Sequence, residues 1–195
     1  NGPGYGNGGL NGSGAGAGFS VQGNACNFPG GIAYGDSIIS QLFGGSGGGG
    51  GMARMGGVSA GGGAGGGILV LKSCTSLIIG LNGGIYSNGG DGGNGNYNGF
   101  PGGGGSGGTI YLAAKNIEIH GIVSSMGGAG GLDANNDSCF SSCSGSPGRI
   151  RIDSKELAID GSILPSAYLH SLFYAGIRRA VNAKCHGTAT GFIKT

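Results

Sequence analysis

The feature that most constrains this chain is an internal repeat with a period near 40 residues. Apolar residues and glycines recur at an offset of 38 in one stretch and at an offset of 40 in the next. The first offset relates Ile79, Leu81, Gly83, Gly89, Gly90, Gly92 and Gly93 to Ile117, Ile119, Gly121, Gly127, Gly128, Gly130 and Gly131. The second relates Ile110, Leu112, Ile117, Ile119 and Gly121 to Ile150, Ile152, Leu157, Ile159 and Gly161. Repeats of roughly 20–50 residues are typical of structures in which each unit buries its apolar face against its neighbours.

Each unit combines short apolar runs with a glycine-rich stretch. Ile110 and Leu112 flank Tyr111, as Ile150 and Ile152 flank Arg151, and this alternation predicts half-buried strands. We expect every unit to contain a short strand, a turn, a second short strand and a glycine excursion. In the first unit the alignment makes the turn four residues longer than in the second.

The glycine excursions, residues 83–108 and 121–148, are too long for ordinary hairpin loops of about 2–5 residues. We therefore expect them to be ordered, as extended segments similar to polyproline II whose bare backbones pack side by side. The predicted fold is an all-β array of short strands with such excursions, either a β-sandwich or a β-solenoid. Its predicted parts are a glycine-rich N-terminal segment (1–31), the repeat domain (32–165) and a C-terminal cap (166–195), where 166–183 has approximate helical spacing.

Composition favours order over disorder and excludes several classes of partner. Although the chain has 54 glycines, 37% of it is hydrophobic, 9% is charged and the net charge is only +2. So few basic residues argue against nucleic-acid binding, and no apolar run approaches the roughly 18–20 residues of a membrane span. Each ordered glycine costs about 0.5–1 kcal/mol relative to alanine, and contacts with other copies of the chain are one way to offset that cost.

Five cysteines, Cys26, Cys74, Cys139, Cys143 and Cys185, are the candidate disulfide residues. Their number in a loop-rich chain favours an oxidising, extracellular or cell-surface location, and the odd count leaves one thiol free or paired with another molecule. The sequence does not determine the connectivity. A local bridge between Cys139 and Cys143, which share one polar loop, is one alternative.

The sequence carries no convincing site for a metal, a cofactor or catalysis, so we predict that the protein is not an enzyme. The cysteines and the three histidines lack zinc spacing, and G-x-G-x-x-G matches are inevitable in so glycine-rich a chain. Cys185 and His186 are adjacent, but neighbours on a strand point to opposite faces. Asn11 and Asn136 lie in N-glycosylation patterns.

Four aromatic residues in the glycine excursions are candidates for contact with a partner, namely Tyr86, Tyr97, Phe100 and Phe140. They could bind sugars or fill grooves on an adjacent subunit. Subunit packing is the better interpretation, because a chain with a small core gains burial from oligomerisation.

Several glycine tracts give the chain a resemblance to a known group. They are Ala33-Tyr34-Gly35-Asp36, residues 44–51, residues 103–110 and Gly148-Arg149-Ile150-Arg151-Ile152. In order and composition they resemble glycine-rich repeat proteins of bacteria, especially of the myxobacterial type, over about residues 30–165. The resemblance implies a secreted or surface location and transfers no catalytic residue. A looser likeness, to glycine-rich antifreeze proteins and phage adhesins, extends to backbone packing and not to activity.

These observations predict a secreted structural protein that self-assembles into an extracellular filament, sheath or surface layer. The alternative is an adhesin, or an ice- or polysaccharide-binding module, that presents a flat repeat surface to a repeating ligand. A homopolymer partner is expected in the first case and a polysaccharide in the second.

Overall fold

The computed structural model describes residues 2–9, 12–53, 57–96, 98–133 and 143–171. Its strands are β1 (Ile68–Lys72), β2 (Ser76–Ile79), β3 (Gly84–Tyr86), β4 (Thr109–Ile119), β5 (Ile122–Ser124), β6 (Arg149–Ile159), β7 (Ser162–Leu164) and β8 (Tyr168–Ser171). These residues contain no helix. None of the described segments is therefore a helix that could cross a membrane.

All the named strands pair in parallel, and they form two sheets. The larger sheet has the order β1-β4-β6-β8, with β2 also pairing to β4, and the smaller has the order β3-β5-β7. Successive strands along each sheet come from successive repeats, so the chain is built in layers. We define the first layer as residues 57–95, the second as 100–133 and the third as 143–164, and β8 begins a further row on β6.

The predicted fold class is wrong. Instead of an all-β repeat array with polyproline-like excursions, the structure has two wholly parallel sheets, the pairing typical of α/β cores, although no described residue is helical. The reason lies in the length of the glycine stretches. A short hairpin would reverse the chain and give antiparallel pairs, whereas a crossover of a dozen or more residues returns it to the same end of the sheet.

The register confirms the repeat at an offset of 40 and corrects the one at 38. Ile110 pairs with Ile150 and Ile119 with Ile159 as predicted. Ile79, however, pairs with Ile119 rather than with Ile117. The offset of 38 holds only from the pair of Gly84 with Ile122 onward.

A turn in the first layer explains the shift. Residues 80–83 form a turn in which the Gly83 N–H donates to the Gly80 carbonyl at 2.8 Å, and Leu81 is 80% exposed there. The predicted turn inside the second and third units is also absent, because β4 and β6 are each one continuous strand of 11 residues.

The apolar core lies between the two sheets. Its buried members are Ile79, Ile110, Leu112, Ala114, Ile117, Ile119, Val123, Ile150 and Ile152. In β4 they occupy alternate positions from Ile110 to Ala114 and again at Ile117 and Ile119, as the alternation in the sequence predicts, with a change of phase between residues 114 and 117. Full burial of each large aliphatic side chain contributes about 1.5–3 kcal/mol, so the strands provide most of the apolar stabilisation of each layer.

The glycine segments form a second packed body, which we call the glycine bundle. At its centre, residues 100–108 hydrogen-bond to six surrounding segments, and residues 101–108 are all buried. The surrounding segments are 12–19, 43–52, 57–67, 87–95, 125–133 and 143–148. Each of these six also bonds to its neighbours around the ring, for example through Gly48 N–H to Gly63 O at 2.9 Å and Gly145 N–H to Gly128 O at 2.9 Å.

Three consecutive glycines of the central segment show why side chains are excluded. A Cβ on Gly103 would meet the carbonyl oxygen of Ala15, one on Gly104 that of Gly128, and one on Gly105 that of Ala64. All three approaches fall well below 3.0 Å, a separation that real Cβ atoms essentially never show. The segment therefore faces a different neighbouring backbone at each successive residue.

The last described strand bears on the predicted C-terminal cap. Residues 168–171, which were included in the stretch with helical spacing, form β8 on the edge of β6. The peptide bond before Pro165 is cis. Residues 172–195 lie outside the described residues, so the rest of the predicted cap stays a prediction.

Candidate functional site

The strongest candidate site is the open side of the first layer, which we call the first-layer face. It consists of residues 57–67, β1, β2, the turn at 80–83 and β3. Among the described strands, β1 and β2 pair only with β4, and β3 pairs only with β5. No other described strand pairs with their outer edges, and unpaired edges are templates for pairing with another chain.

The glycines of this face distinguish it from every inner layer. In the second layer, a Cβ on Gly108 would strike the carbonyl oxygen of Gly67, and in the third a Cβ on Gly148 would strike that of Gly108. Gly67 is the preceding member of this series, yet a Cβ on Gly67 would meet nothing within 4 Å. The same is true of Gly61 and Gly80, and all three glycines belong to the first layer.

Close packing within the described chain thus gives no reason for glycine at these three positions. At most other glycines of the bundle the missing side chain makes room for a neighbouring backbone, although Gly44, Gly47 and Gly50 also have space for a Cβ in ordinary contact. At Gly61 and Gly67 no described atom lies within 4 Å of the equivalent position.

Apolar side chains are exposed along the same layer. Ile68 is 48% exposed, Ile78 60%, Leu81 80% and Tyr86 60%. Scattered exposed apolar residues are normal on a protein surface, but a group bordering open strand edges is typical of an interaction surface. Charged residues are scarce here, since Lys72 is the only one in β1, β2 and β3.

Of the four predicted contact aromatics, Tyr86 is placed on this face. It ends β3 at the open edge of the smaller sheet. Phe100 is half-buried at the start of the central glycine segment. Tyr97 and Phe140 lie outside the described residues.

The disulfide candidates are partly resolved. Cys26 and Cys143 form a disulfide with a Cα–Cα distance of 5.6 Å and a sequence separation of 117. The suggested bridge between Cys139 and Cys143 is therefore wrong, because the backbone brings residue 143 beside residue 26. Cys74 is also disulfide-bonded. Cys139, Cys185 and the glycosylation candidates Asn11 and Asn136 lie outside the described residues.

A regular row of polar side chains borders the bundle and was missed from the sequence. Asn88, Asp91 and Asn94 recur every third residue, and all three are exposed. Their Oδ1 atoms accept the backbone N–H groups of Met126, Ala129 and Leu132 at 2.8, 2.7 and 2.9 Å. Each bond spans 38 residues, so the row joins the first layer to the second. The three-residue spacing of Asn and Asp beside glycine was the signal available in the sequence.

The outer face of the larger sheet carries a cluster of polar and aromatic residues. Asp153, whose side chain is 4% exposed, accepts hydrogen bonds from Arg151 Nε at 2.7 Å, Arg151 Nη2 at 2.9 Å and the Tyr111 hydroxyl at 2.7 Å. Burial, followed by the bond to Asp153, raises the pKa of Tyr111 to about 12. Arg151 also donates to the Ile38 carbonyl at 2.7 Å. The cluster is internally satisfied, which makes it a structural network that fastens residue 38 to the sheet.

A second polar group lies at the corner between β4 and β5. His120 Nδ1 lies 2.7 Å from Asp160 Oδ1, and its Nε2 lies 3.4 Å from Glu118 Oε2. The bond with Asp160, and then the bond with Glu118, raises the pKa of His120. Within the described ranges, no group of three or more His, Cys, Asp or Glu side chains is placed to hold a metal ion.

Comparison with known proteins gives no match among protein families, curated proteins or solved structures. The function is therefore argued from the geometry of the described residues.

Proposed function

We propose that this chain is a structural protein that assembles, copy upon copy, into an extracellular filament, sheath or surface layer through the first-layer face. The observation that carries the proposal is the open space in front of Gly61, Gly67 and Gly80. In the inner layers, glycine at the position of Gly67 faces a carbonyl of the preceding layer. A second copy stacked on the first-layer face supplies the missing backbone.

The energetic argument is that these glycines are costly without a partner. Replacing a glycine by alanine at a site with room and an ordinary φ angle stabilises a protein by about 0.4–1 kcal/mol. No positive φ angle is found at Gly61, Gly67 or Gly80. Three such glycines on one face are explained if a backbone approaches them in the assembled state.

The strand edges support the same proposal. Proteins that remain monomeric protect edge strands with lysines, prolines, bulges or a covering segment. The edge strands here read ILVLK, SLII and GIY, so they contain one charge and no proline. Such edges favour the addition of further strands.

The disulfide between Cys26 and Cys143 is compatible with an oxidising compartment. An extracellular location is part of the proposal. Disulfides stabilise folded chains where thiol reductants are scarce, which suits a structural element outside the cell.

The proposal is tested by sedimentation velocity and negative-stain electron microscopy of the purified, oxidised protein. Wild type should form species that grow with concentration and appear as ordered assemblies. Gly67→Lys should remain monomeric with unchanged circular dichroism, because Gly67 has room for a side chain in the monomer and the lysine blocks stacking.

A second test replaces an exposed apolar side chain with lysine, in Ile78→Lys on the first-layer face and in Val21→Lys as its control. The two parent side chains are 60% and 54% exposed, and only Ile78 lies on the first-layer face. Ile78→Lys should weaken assembly while Val21→Lys should not. A monomeric wild type at high concentration, or normal assembly of Gly67→Lys, would refute the proposal.

A binding module is the second candidate, and the row of Asn88, Asp91 and Asn94 is the observation that favours it. Exposed polar side chains at three-residue intervals could meet a ligand with a repeating structure, such as a polysaccharide. A glycan array probed with wild type and with Asp91→Ala distinguishes this function, since a pure building block should bind no glycan.

A further inference from the structure

One apolar column of the larger sheet is incomplete at both ends. Leu71, Leu112, Ile152 and Leu169 follow one another in register across β1, β4, β6 and β8. The two inner members are fully buried. By contrast, Leu71 is only partly buried and Leu169 is 54% exposed, and neither has a described strand on its outer side.

The two ends of this sheet are complementary by translation. Because all of its strands are parallel, a copy of the sheet displaced along the layer direction presents β1 to β8 in the orientation that every inner pair already has. Within the described residues, β8 pairs only with β6, so its outer edge is open. The sheet can continue in steps of about 4.8 Å, the usual separation of paired strands.

The internal register fixes how the two edges meet. Val70, Tyr111, Arg151 and Tyr168 occupy one row across the four strands. Continued by the same translation, the next member of that row would be Val70 of a second copy. The neighbouring row then places Leu71 of the second copy beside Leu169.

We propose that β1 of one copy pairs in parallel with β8 of another, with Val70 opposite Tyr168 and Leu71 opposite Leu169. The contact is head to tail, so it leaves a free β1 at one end and a free β8 at the other. Repeated contacts of this kind do not close on themselves and produce a filament. The inference rests on the proposed assembly function and adds to it the strand, the register and the polarity.

The register is tested by cross-linking two single-cysteine additions, Val70→Cys and Tyr168→Cys. Directly paired residues of adjacent strands are about 4.8 Å apart, within the roughly 4.4–6.8 Å Cα separation of disulfides. The two variants are mixed, allowed to assemble and oxidised, and the linked peptides are identified by mass spectrometry. The mixture should give a link between residues 70 and 168, and neither variant alone should give a dimer through its added cysteine.

A mixture of Val70→Cys with Val21→Cys is the control, since Val21 is exposed but lies on no strand edge. It should give no 21–70 link. A 70–70 link from Val70→Cys alone shows a head-to-head contact and overturns the inference. Assembly without a 70–168 link overturns the register and leaves the proposed function standing, whereas a wild type that never assembles overturns both.

A second variant keeps the test decisive if an added cysteine disturbs assembly. Leu169→Asp should raise the protein concentration at which assembly begins by at least tenfold, because the carboxylate falls beside Leu71 of the next copy. Leu42→Asp, at a side chain that is 44% exposed and outside both edges, should leave it unchanged. Equal effects of the two substitutions would overturn the inference.

Discussion

Alanine at Gly105 should destabilise the monomer, whereas alanine at Gly67 should not, although the chemical change is the same. A Cβ on Gly105 falls far too close to the carbonyl of Ala64, and the neighbouring atoms are backbone that cannot rotate away. A Cβ on Gly67 meets nothing within 4 Å. The pair therefore isolates the contribution of close backbone approach.

The loss of folding stability in Gly105→Ala can be worked out from the hydrogen bonds and the packing that the central segment loses. Separating the backbones around Gly105 and Ala64 by on the order of 1 Å breaks or weakens the two bonds that join these segments beside the contact, from Gly63 N–H to Gly103 O at 2.9 Å and from Gly66 N–H to Ser106 O at 2.8 Å. Two such bonds contribute about 1–3 kcal/mol, and overpacking adds about 1–3 kcal/mol. The lower entropy of the unfolded alanine variant returns only about 0.4–1 kcal/mol. We expect Gly105→Ala to lose about 3 kcal/mol and Gly67→Ala to gain about 0.4–1 kcal/mol.

The assay is denaturant and thermal unfolding of the oxidised protein, followed by circular dichroism at a concentration where sedimentation shows a monomer. For a chain of this length, about 3 kcal/mol lowers the melting temperature by roughly 6–12 °C, and Gly67→Ala should raise it by roughly 1–4 °C. Gly105→Ala as stable as wild type, or Gly67→Ala as damaging as Gly105→Ala, would refute the reasoning.

Three further predictions concern the cross-link and the titrating groups. Cys26→Ser removes the bridge to Cys143 and should lower the free energy of unfolding in urea by about 2–5 kcal/mol. Dithiothreitol should lower the stability of wild type by at least as much. Unchanged stability in both experiments would contradict the role assigned to this disulfide. By NMR, the pKa of His120 should lie above its ordinary value of 6.5 and should return toward that value in Asp160→Asn. Because the folded-state pKa is raised, the stabilisation that His120 gives the folded protein is complete below pH 6.5 and is lost as the pH rises through the folded-state pKa. Tyr111 should ionise only near pH 12 in ultraviolet titration, and since its folded pKa is raised, the stabilisation is present below pH 10 and is lost between pH 10 and 12. Burial also raises the pKa of Tyr34, so the deciding comparison is the absorbance change near pH 12, which should be smaller in Tyr111→Phe than in wild type. An unchanged absorbance step there would show that the wrong residue was assigned.

The strands were predictable because alternation is a local property of the sequence. The apolar residues that flank Tyr111 and Arg151 in the sequence are those that face the core, and the offset of 40 correctly predicts which residues of β4 and β6 pair. The shifted alignment of Ile79 had a local cause, since the turn at 80–83 lengthens the first layer and only the residues after the turn match at an offset of 38. An alignment that forbids gaps absorbs such an insertion by misplacing the strand before it.

Parallel pairing and the bundle were harder to predict, because both depend on where a long glycine stretch returns. Glycine content indicates that backbones approach closely, but it does not say which ones. The neighbours of residues 103–105 come from residues 15, 64 and 128, which are far apart in the sequence. The first-layer face could not be found from the sequence at all, since Gly67, Gly108 and Gly148 look alike there and differ only in what lies in front of them.

The register of the layers is specified by two periods that have to agree. In the strands, a slip of one residue would turn the apolar side chains to the opposite face, so only slips of two are tolerated. In the bundle, buried positions such as Ala60, Gly63 and Gly66, and the row of Asn88, Asp91 and Asn94, recur every third residue. Each layer passes from strand to glycine segment without a break, so both parts must shift together. A shift of a layer by two residues places the wrong glycine-segment residues in the bundle, and a shift by three residues turns the apolar side chains of the strands to the opposite face. Only a slip of six satisfies both, and six residues exceed the length of β1 and of β3. In the proposed assembly, a copy added to the first-layer face would meet the same double requirement, so short strands would suffice to give that assembly a single register.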